Sequence, residues 1–142
     1  MCCLKIFLIF QSNSILIFEV PLTENSLFLG MSNVLNLKVI DFFETIEKYY
    51  GSKTEITEGL YTKSEDFDSN FTTWNLCEFD LIRSAYRTKG ARLMMEGEKM
   101  YYEISAKLII DFKQPGRRTY EFIEQYSETV FRITKINFHY KY

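Results

Sequence analysis

The chain has 142 residues, 46% hydrophobic and 25% charged, enough to bury one core and too apolar to remain disordered. Its net charge of −2 selects no class of partner, but its distribution is uneven. Residues 1–82 carry 5 Lys and Arg against 12 Asp and Glu, and residues 83–142 carry 12 against 7, a pattern expected when two halves of one fold neutralise each other.

The aromatic content is 17%, with 13 Phe and 10 Tyr, and residues of this kind favour half-buried pleated surfaces. The three cysteines, Cys2, Cys3 and Cys77, form no CxxC pair. With a single histidine in the chain, they support neither a disulfide framework nor a zinc site. No cofactor and no metal is implied, and a reducing, cytoplasmic setting fits the cysteine usage, with secretion as the alternative.

The first segment, MCCLKIFLIFQSNSILIFEV, is too short in its apolar runs to span a bilayer. It also lacks the small-residue site that ends a signal peptide. Its two runs, Ile6–Phe10 and Ile15–Val20, flank Gln11-Ser12-Asn13-Ser14 and suit a hairpin. Met31 is an alternative start, which would make residues 1–30 an extension and 31–142 a single domain.

A helix is expected from about Asn33 to Tyr50. Leu35, Val39, Phe42, Ile46 and Tyr49 recur at intervals of four and three as one apolar stripe, and Phe43 and Tyr50 widen it. Ser32 is the expected N-cap and Gly51 the left-handed residue that ends the helix. TEITEGLYTK and FTTWNLCEFDLI read as strands, SEDFDS as a charged loop, and ARLMMEGEKM as a helical turn or a short strand. Asp66 and Asp68 in that loop lack a third ligand. Asn70 opens a glycosylation triplet that matters only to a secreted chain.

MYYEISAKLIIDFK alternates cleanly and is read as one strand, followed by a turn at Gln114-Pro115-Gly116. RRTYEFIEQY and TVFRITKINFHY complete an antiparallel meander. In the last segment Phe131 and Ile133 share one parity, while Ile136, Phe138 and Tyr140 share the other, which predicts a bulge or bend near Thr134-Lys135. The layout is α+β: one long helix packed in a strongly curved antiparallel sheet.

LKVIDFFETIEKYYGS, YYEISAKLIIDFKQPGRRTYEFIEQY and FRITKINFHY together resemble the cone-shaped superfamily named for nuclear transport factor two. Its members include ketosteroid isomerase-like and polyketide cyclase-like proteins. The likeness covers about residues 33–140, and Phe131, Ile133 and Ile136 match the aromatic-x-Ile-x-x-Ile form of the closing strand. The family usually has two further helices after the first, and residues 52–70 show no amphipathic helix. The other common fold of this layout, the cystatin group, carries a Gln-x-Val-x-Gly loop that this chain lacks. The resemblance implies a cone holding a small molecule, pairing of two copies through the sheet, and in some members an acid on the penultimate strand facing the pocket.

Glu124 stands where that acid would be, on the face of Tyr120, Phe122 and Tyr126. A carboxylate desolvated there would serve as an acid/base at neutral pH, whereas on an exposed face, or paired with a Lys or Arg of the neighbouring strand, it would have no such role. His139 is the residue able to share a proton with it. By the same resemblance Tyr49, or Tyr50, would hydrogen-bond an oxyanion. Tyr50, Trp74, Tyr102, Tyr120 and Phe122 are the expected ligand-contacting set, with Met94, Met95 and Met100 suited to a pocket, an interface or a core. Three functions follow. The leading one is a non-enzymatic domain binding a hydrophobic small molecule or a protein partner, as a homodimer through its sheet. The second is an isomerase- or cyclase-like enzyme working through Glu124. The third is nucleic-acid binding by the basic C-terminal half, where Arg117-Arg118 forms a basic tip.

Overall fold

The computed structural model describes residues 6–11, 14–19, 24–62 and 72–141, with side chains from residue 34 onward. The chain divides into two compact units, Met1–Val34 and Leu35–Tyr142. In the first unit β1 (Ile6–Gln11) and β2 (Ser14–Glu19) pair antiparallel, Gln11 opposite Ser14. Helix α1 (Glu24–Glu44) begins in this unit and ends in the second.

The helix therefore starts well before Asn33, and Ser32 lies inside it rather than capping it. Between Glu24 and Ser32 only Gly30 opposes helix formation, at a cost of about 1 kcal/mol. At the other end α1 stops at Glu44 and a 3-10 turn, Ile46–Tyr49, continues the run. That turn keeps the expected stripe intact. Val39, Phe42, Ile46 and Tyr49 are all buried, and Leu35 packs beside them. Gly51 takes the left-handed conformation, φ +76°, and its N–H donates to the Leu81 carbonyl at 2.7 Å. Each of these large side chains contributes about 2 kcal/mol by leaving water.

The second unit is α+β with antiparallel sheets. One sheet has five strands in the order β4 (Thr73–Asp80), β3 (Lys53–Thr62), β10 (Val130–Phe138), β9 (Thr119–Gln125) and β8 (Ile109–Gly116). The other joins β5 (Arg83–Arg87), β6 (Arg92–Glu96) and β7 (Tyr101–Ser105). The last strand in sequence is thus the central strand of the larger sheet, and β8–β9–β10 is the expected meander. The segment SEDFDS, with Asp66 and Asp68, and the Asn70 triplet lie outside the described residues.

Three further expectations change. MYYEISAKLIIDFK is not one strand: a 3-10 turn, Ala106–Leu108, breaks it, so that β7 joins the three-stranded sheet and β8 the five-stranded one. Its alternation also fails within β8, where a register shift between Ile109 and Asp111 leaves Ile110 exposed while Ile109 packs on the core. The turn of the next hairpin falls on Arg117-Arg118, since Gly116 already pairs with Thr119. Pro115 is accommodated in β8 because this is an edge strand, where an N–H can be dispensed with. In β10 the register runs without interruption from Val130 to Phe138 against β3, so there is no bulge at Thr134-Lys135. The parity change arises because both faces of the strand are apolar there. Ile136 and Phe138 face the helix, while Phe131 and Ile133 face the other side.

The core lies between α1 and the inner face of the larger sheet. Phe42 meets Tyr120, Phe122 and Phe112 at ring-centroid distances of 4.5, 5.3 and 5.9 Å, and Tyr49 stacks on Phe138 at 4.0 Å. Leu93, Met95 and Ile104 of the smaller sheet belong to the same cluster. ARLMMEGEKM supplies β6, a strand whose Leu93 and Met95 are buried while Met94 stays half-exposed.

Candidate functional site

Alternation along β9 places Tyr120, Phe122 and Glu124 on the core face, and all three are buried, Phe122 and Glu124 completely. Antiparallel register sets Arg132 of β10 opposite Glu124 and Thr134 opposite Phe122. Across the other edge of β10, Arg132 faces Leu60 and Thr134 faces Glu58. Four polar residues, Glu124, Arg132, Thr134 and Glu58, therefore converge on the inner face at one end of the sheet.

They form a closed network. The Arg132 guanidinium bonds Oε2 of Glu124 at 2.6–2.7 Å, donates to the Glu103 carbonyl at 3.0 Å and reaches Glu58 at 3.5 Å. The other carboxylate oxygen of Glu124 accepts from the Ser105 N–H at 2.8 Å and from the Tyr126 hydroxyl at 3.2 Å. Tyr102 donates to Glu58 at 2.6 Å and shares a 2.9 Å hydrogen bond with Thr134. Arg132 also lies over the Tyr102 and Tyr126 rings, 5.7 and 5.5 Å from their centroids.

Contributions from β3, β7, β9 and β10 make this the point where the two sheets are tied together. Burial drives the Tyr102 hydroxyl well above the usual tyrosine range, and its bond to Glu58 adds to the shift. Tyr126 moves the same way, through burial and then the Glu124 carboxylate. For Arg132 burial acts against the charge, but the Glu124 carboxylate prevails and its pKa rises.

Tyr49 and Tyr120 form a second, separate group. Their hydroxyls share a 2.8 Å hydrogen bond beneath α1, and Gln114 donates to Tyr120 at 3.3 Å. Burial and the bond to Tyr49 raise the Tyr120 pKa. Arg118 covers the outer ring face of Tyr49 at 5.2 Å, its Nε donating to the Phe138 carbonyl at 2.7 Å. Tyr50 turns elsewhere: its hydroxyl receives the Ser84 N–H and shares a bond with the Ser84 hydroxyl, both at 2.8 Å.

The expected site residues are thus dispersed. Glu124 and Tyr102 meet in the ionic network, Tyr49 and Tyr120 meet under the helix, Phe122 is in the core, and Trp74 is half-exposed on β4. His139 lies across the sheet from Glu124, with Nε2 3.6 Å from Glu55, so the two do not form a proton-transfer pair. Among the described residues no cluster of His, Cys, Asp or Glu is arranged to hold a metal, and no helix is long and apolar enough to cross a membrane.

The charge halves do not simply pair with each other. Among the described ion pairs only Arg132–Glu58 and His139–Glu55 join them, while Lys53–Glu78, Arg83–Glu96, Lys113–Asp111 and Lys135–Glu121 form within a half.

Sequence reasoning allows Glu124 a Lys or Arg partner on the neighbouring strand, but it singles out neither Arg132 nor Glu58. The signal was present in β10, where Arg132 and Thr134 share the face of Ile136 and Phe138: two polar residues on a core face require partners. Compared with protein-family models, curated proteins and solved structures, the chain is significantly similar to none.

Proposed function

We propose that this chain is a non-enzymatic interaction domain on the cone-like α+β plan, and that it pairs with a second copy of itself through the outer face of the five-stranded sheet. The observation that carries the proposal is the apolar band on that face. Leu76 and Trp74 of β4 stand 65% and 46% exposed. Beside them, across β3 and β10, Ile133 and Tyr61 are half-buried and Phe131, stacked with Tyr61 at 5.4 Å, is buried, so Leu76 and Trp74 are the exposed part of the band.

Trp74 is held in place rather than loose. It is opposite Gly59 in the β3–β4 register, and a Cβ at Gly59 would come within 2.8 Å of its ring. Lys135 sits over the same ring at 5.8 Å. A half-exposed, immobilised tryptophan beside aliphatic groups is the composition of a contact hot spot.

The charges around the band favour a second copy over an anionic polymer. Lys53, Lys113 and Lys135 are each paired with an acid of the same chain, Glu78, Asp111 and Glu121 respectively. The face as a whole is not basic, and a self-neutralised face can meet its own image without repulsion. Its size is adequate. Five strands about 4.8 Å apart and about eight residues long cover roughly 600 Å² before side-chain relief is counted, near the ~800 Å² per partner of a stable interface.

The enzymatic reading through Glu124 has less behind it, because donors occupy both carboxylate oxygens. Tyr49 likewise spends its hydroxyl on Tyr120.

Sedimentation velocity across a wide concentration range tests the pairing. The expected result is a concentration-dependent dimer that Leu76→Glu and Trp74→Lys convert to monomer with an unchanged circular dichroism spectrum. A wild-type chain that stays monomeric at the highest concentration, or a dimer indifferent to both substitutions, would refute it.

A further inference from the structure

A cleft of about 470 Å³ lies between the polar flank of α1 and the β8–β9 hairpin, lined by Lys38, Asp41, Phe42, Thr45, Lys48, Phe112, Lys113, Gln114 and Tyr120. Its volume falls within the roughly 300–1,000 Å³ of small-molecule sites. It is on the helix side of the sheet, away from the proposed pairing face, and neither Glu124 nor Tyr102 lines it.

Two chemistries meet there. The floor is aromatic: Phe112 stacks with Tyr120 at 6.2 Å and an interplanar angle of 12°, and both rings adjoin Phe42. The rim is cationic. Lys38 and Lys48 come from the helix side and Lys113 from β8, against Asp41 as the lone carboxylate of the lining.

Lys38 and Asp41 form no ion pair with one another or with other described residues, although three positions apart on the helix. Lys48 makes only a 3.5 Å contact with the Thr45 hydroxyl and a cation–π contact with Tyr49 at 5.1 Å. Lys113 is shared with Asp111 at 2.9 Å. At the inner end the Gln114 amide and the Tyr120 hydroxyl provide hydrogen-bonding groups 3.3 Å apart.

An apolar, flat floor with excess ammonium groups at its rim matches a ligand of one kind: a flat ring body bearing one anionic group. A neutral apolar molecule would leave the lysines unused. A small inorganic anion would leave the rings uncovered, and exposed lysines bind such ions weakly by themselves.

We propose that this cleft is a binding site for a small aromatic carboxylate, its ring laid on the half-buried Phe112 that backs onto Tyr120, and its carboxylate directed to Lys38 and Lys48 and, in competition with Asp111, to Lys113. The proposal does not depend on self-association, since apart from Lys113 on the edge strand β8 the two surfaces share no residue.

The test uses the full chain with 2-naphthoate as probe, followed by isothermal titration calorimetry and saturation-transfer NMR, beside the neutral 2-naphthamide. The expected result is saturable 1:1 binding of the carboxylate at millimolar concentrations or below, and weaker binding of the amide. The double variant Lys38→Gln/Lys113→Gln should lose affinity by roughly three- to tenfold, each surface charge contributing about 0.2–1 kcal/mol. Circular dichroism verifies that this variant is folded, and the substituted side chains are solvent-facing.

Equal binding of acid and amide, unchanged affinity in the double variant, or no saturable binding of either probe would each overturn the proposal. So would capture of the chain by anionic phospholipid vesicles without uptake of 2-naphthoate, which would assign the lysines to a lipid headgroup instead.

Discussion

Replacing Glu124 by Gln removes one charge from the ionic network while nearly preserving its shape. Glu124 is completely buried, and the Arg132 side chain is 18% exposed, so the pair is little screened by solvent. Breaking a buried ion pair by removing one partner costs about 3–5 kcal/mol, because the remaining charge is left uncompensated. Here Arg132 keeps the Glu103 carbonyl at 3.0 Å and Glu58 at 3.5 Å, which places the expected loss near the lower end, about 3 kcal/mol.

The glutamine amide adds a second penalty of geometry. Its carbonyl can still accept from the Ser105 N–H, but its NH2 group then faces the guanidinium, donor against donor. The double variant Glu124→Leu/Arg132→Met removes both charges and should recover to within about 1 kcal/mol of the original chain. Urea unfolding followed by fluorescence and by circular dichroism provides both values, with the slope checked for constancy. If Glu124→Gln costs less than about 1 kcal/mol, or if Glu124→Leu/Arg132→Met loses the sum of Glu124→Leu and Arg132→Met measured singly, then Glu124 and Arg132 are not a coupled tie between the sheets.

The pH dependence follows from the buried tyrosines. Tyr102 and Tyr120 have folded-state pKa values raised above the ordinary value of 10.0, so the unfolded chain gives up these protons more readily. Their contribution to stability is complete below pH 10 and is lost as pH rises above it. Thermal melting should therefore show a falling midpoint above pH 10, with the last phenolate absorbance appearing only as the fold is lost. Titration of every tyrosine near pH 10 in the intact fold would contradict the burial assigned to them. Gly59→Ala is the third perturbation. Its Cβ would stand 2.8 Å from Trp74 and 3.0 Å from Ile133, forcing the indole off the sheet at a cost of about 1 kcal/mol. Because Trp74 is the one tryptophan in the chain, its emission should shift to the red, and an unshifted spectrum would show that glycine is not required there.

Periodicity was informative where one chemical face met one physical face. The stripe from Leu35 to Tyr49 and the alternation in β9 and β10 were readable for that reason, and they are the elements that build the core. Failures came where alternation continued through a change of partner. Tyr102 and Ile104 have the same parity as Phe112, yet they belong to one sheet and Phe112 to another, and Ile110 between them is exposed at a register shift. Hydrophobic parity records burial and carries no information about which strand supplies the cover. Likewise alternation puts Glu124 on the face of Tyr120 and Phe122 but leaves open whether that face is a pocket, an exposed surface or the site of an ion pair, because its environment depends on register. A slip of one residue would have set Ile133, not Arg132, across from it, and the same carboxylate would have been an isolated acid among rings.

That dependence also explains how the chemistry is distributed over the molecule. The inner face of the larger sheet runs from aromatic groups around Tyr49 and Phe138 to polar groups around Glu124 and Arg132. At the polar end every strong hydrogen-bonding group is spent on another, which rigidifies the junction between the sheets and leaves no acid or base directed at a substrate. At the aromatic end Tyr49 and Tyr120 are paired as well, but Lys38 and Lys48 stand nearby without an ion-pair partner among the described residues, and Lys113 is shared with Asp111. Unspent charge beside the half-buried Phe112 ring is what a ligand can use, and it lies on the helix side. On the reverse side the lysines are already paired with acids of the same chain, and the unspent feature is the apolar band of Trp74 and Leu76. The two proposals therefore assign the faces partners of different chemistry, a small aromatic anion on one side and a second copy of the chain on the other.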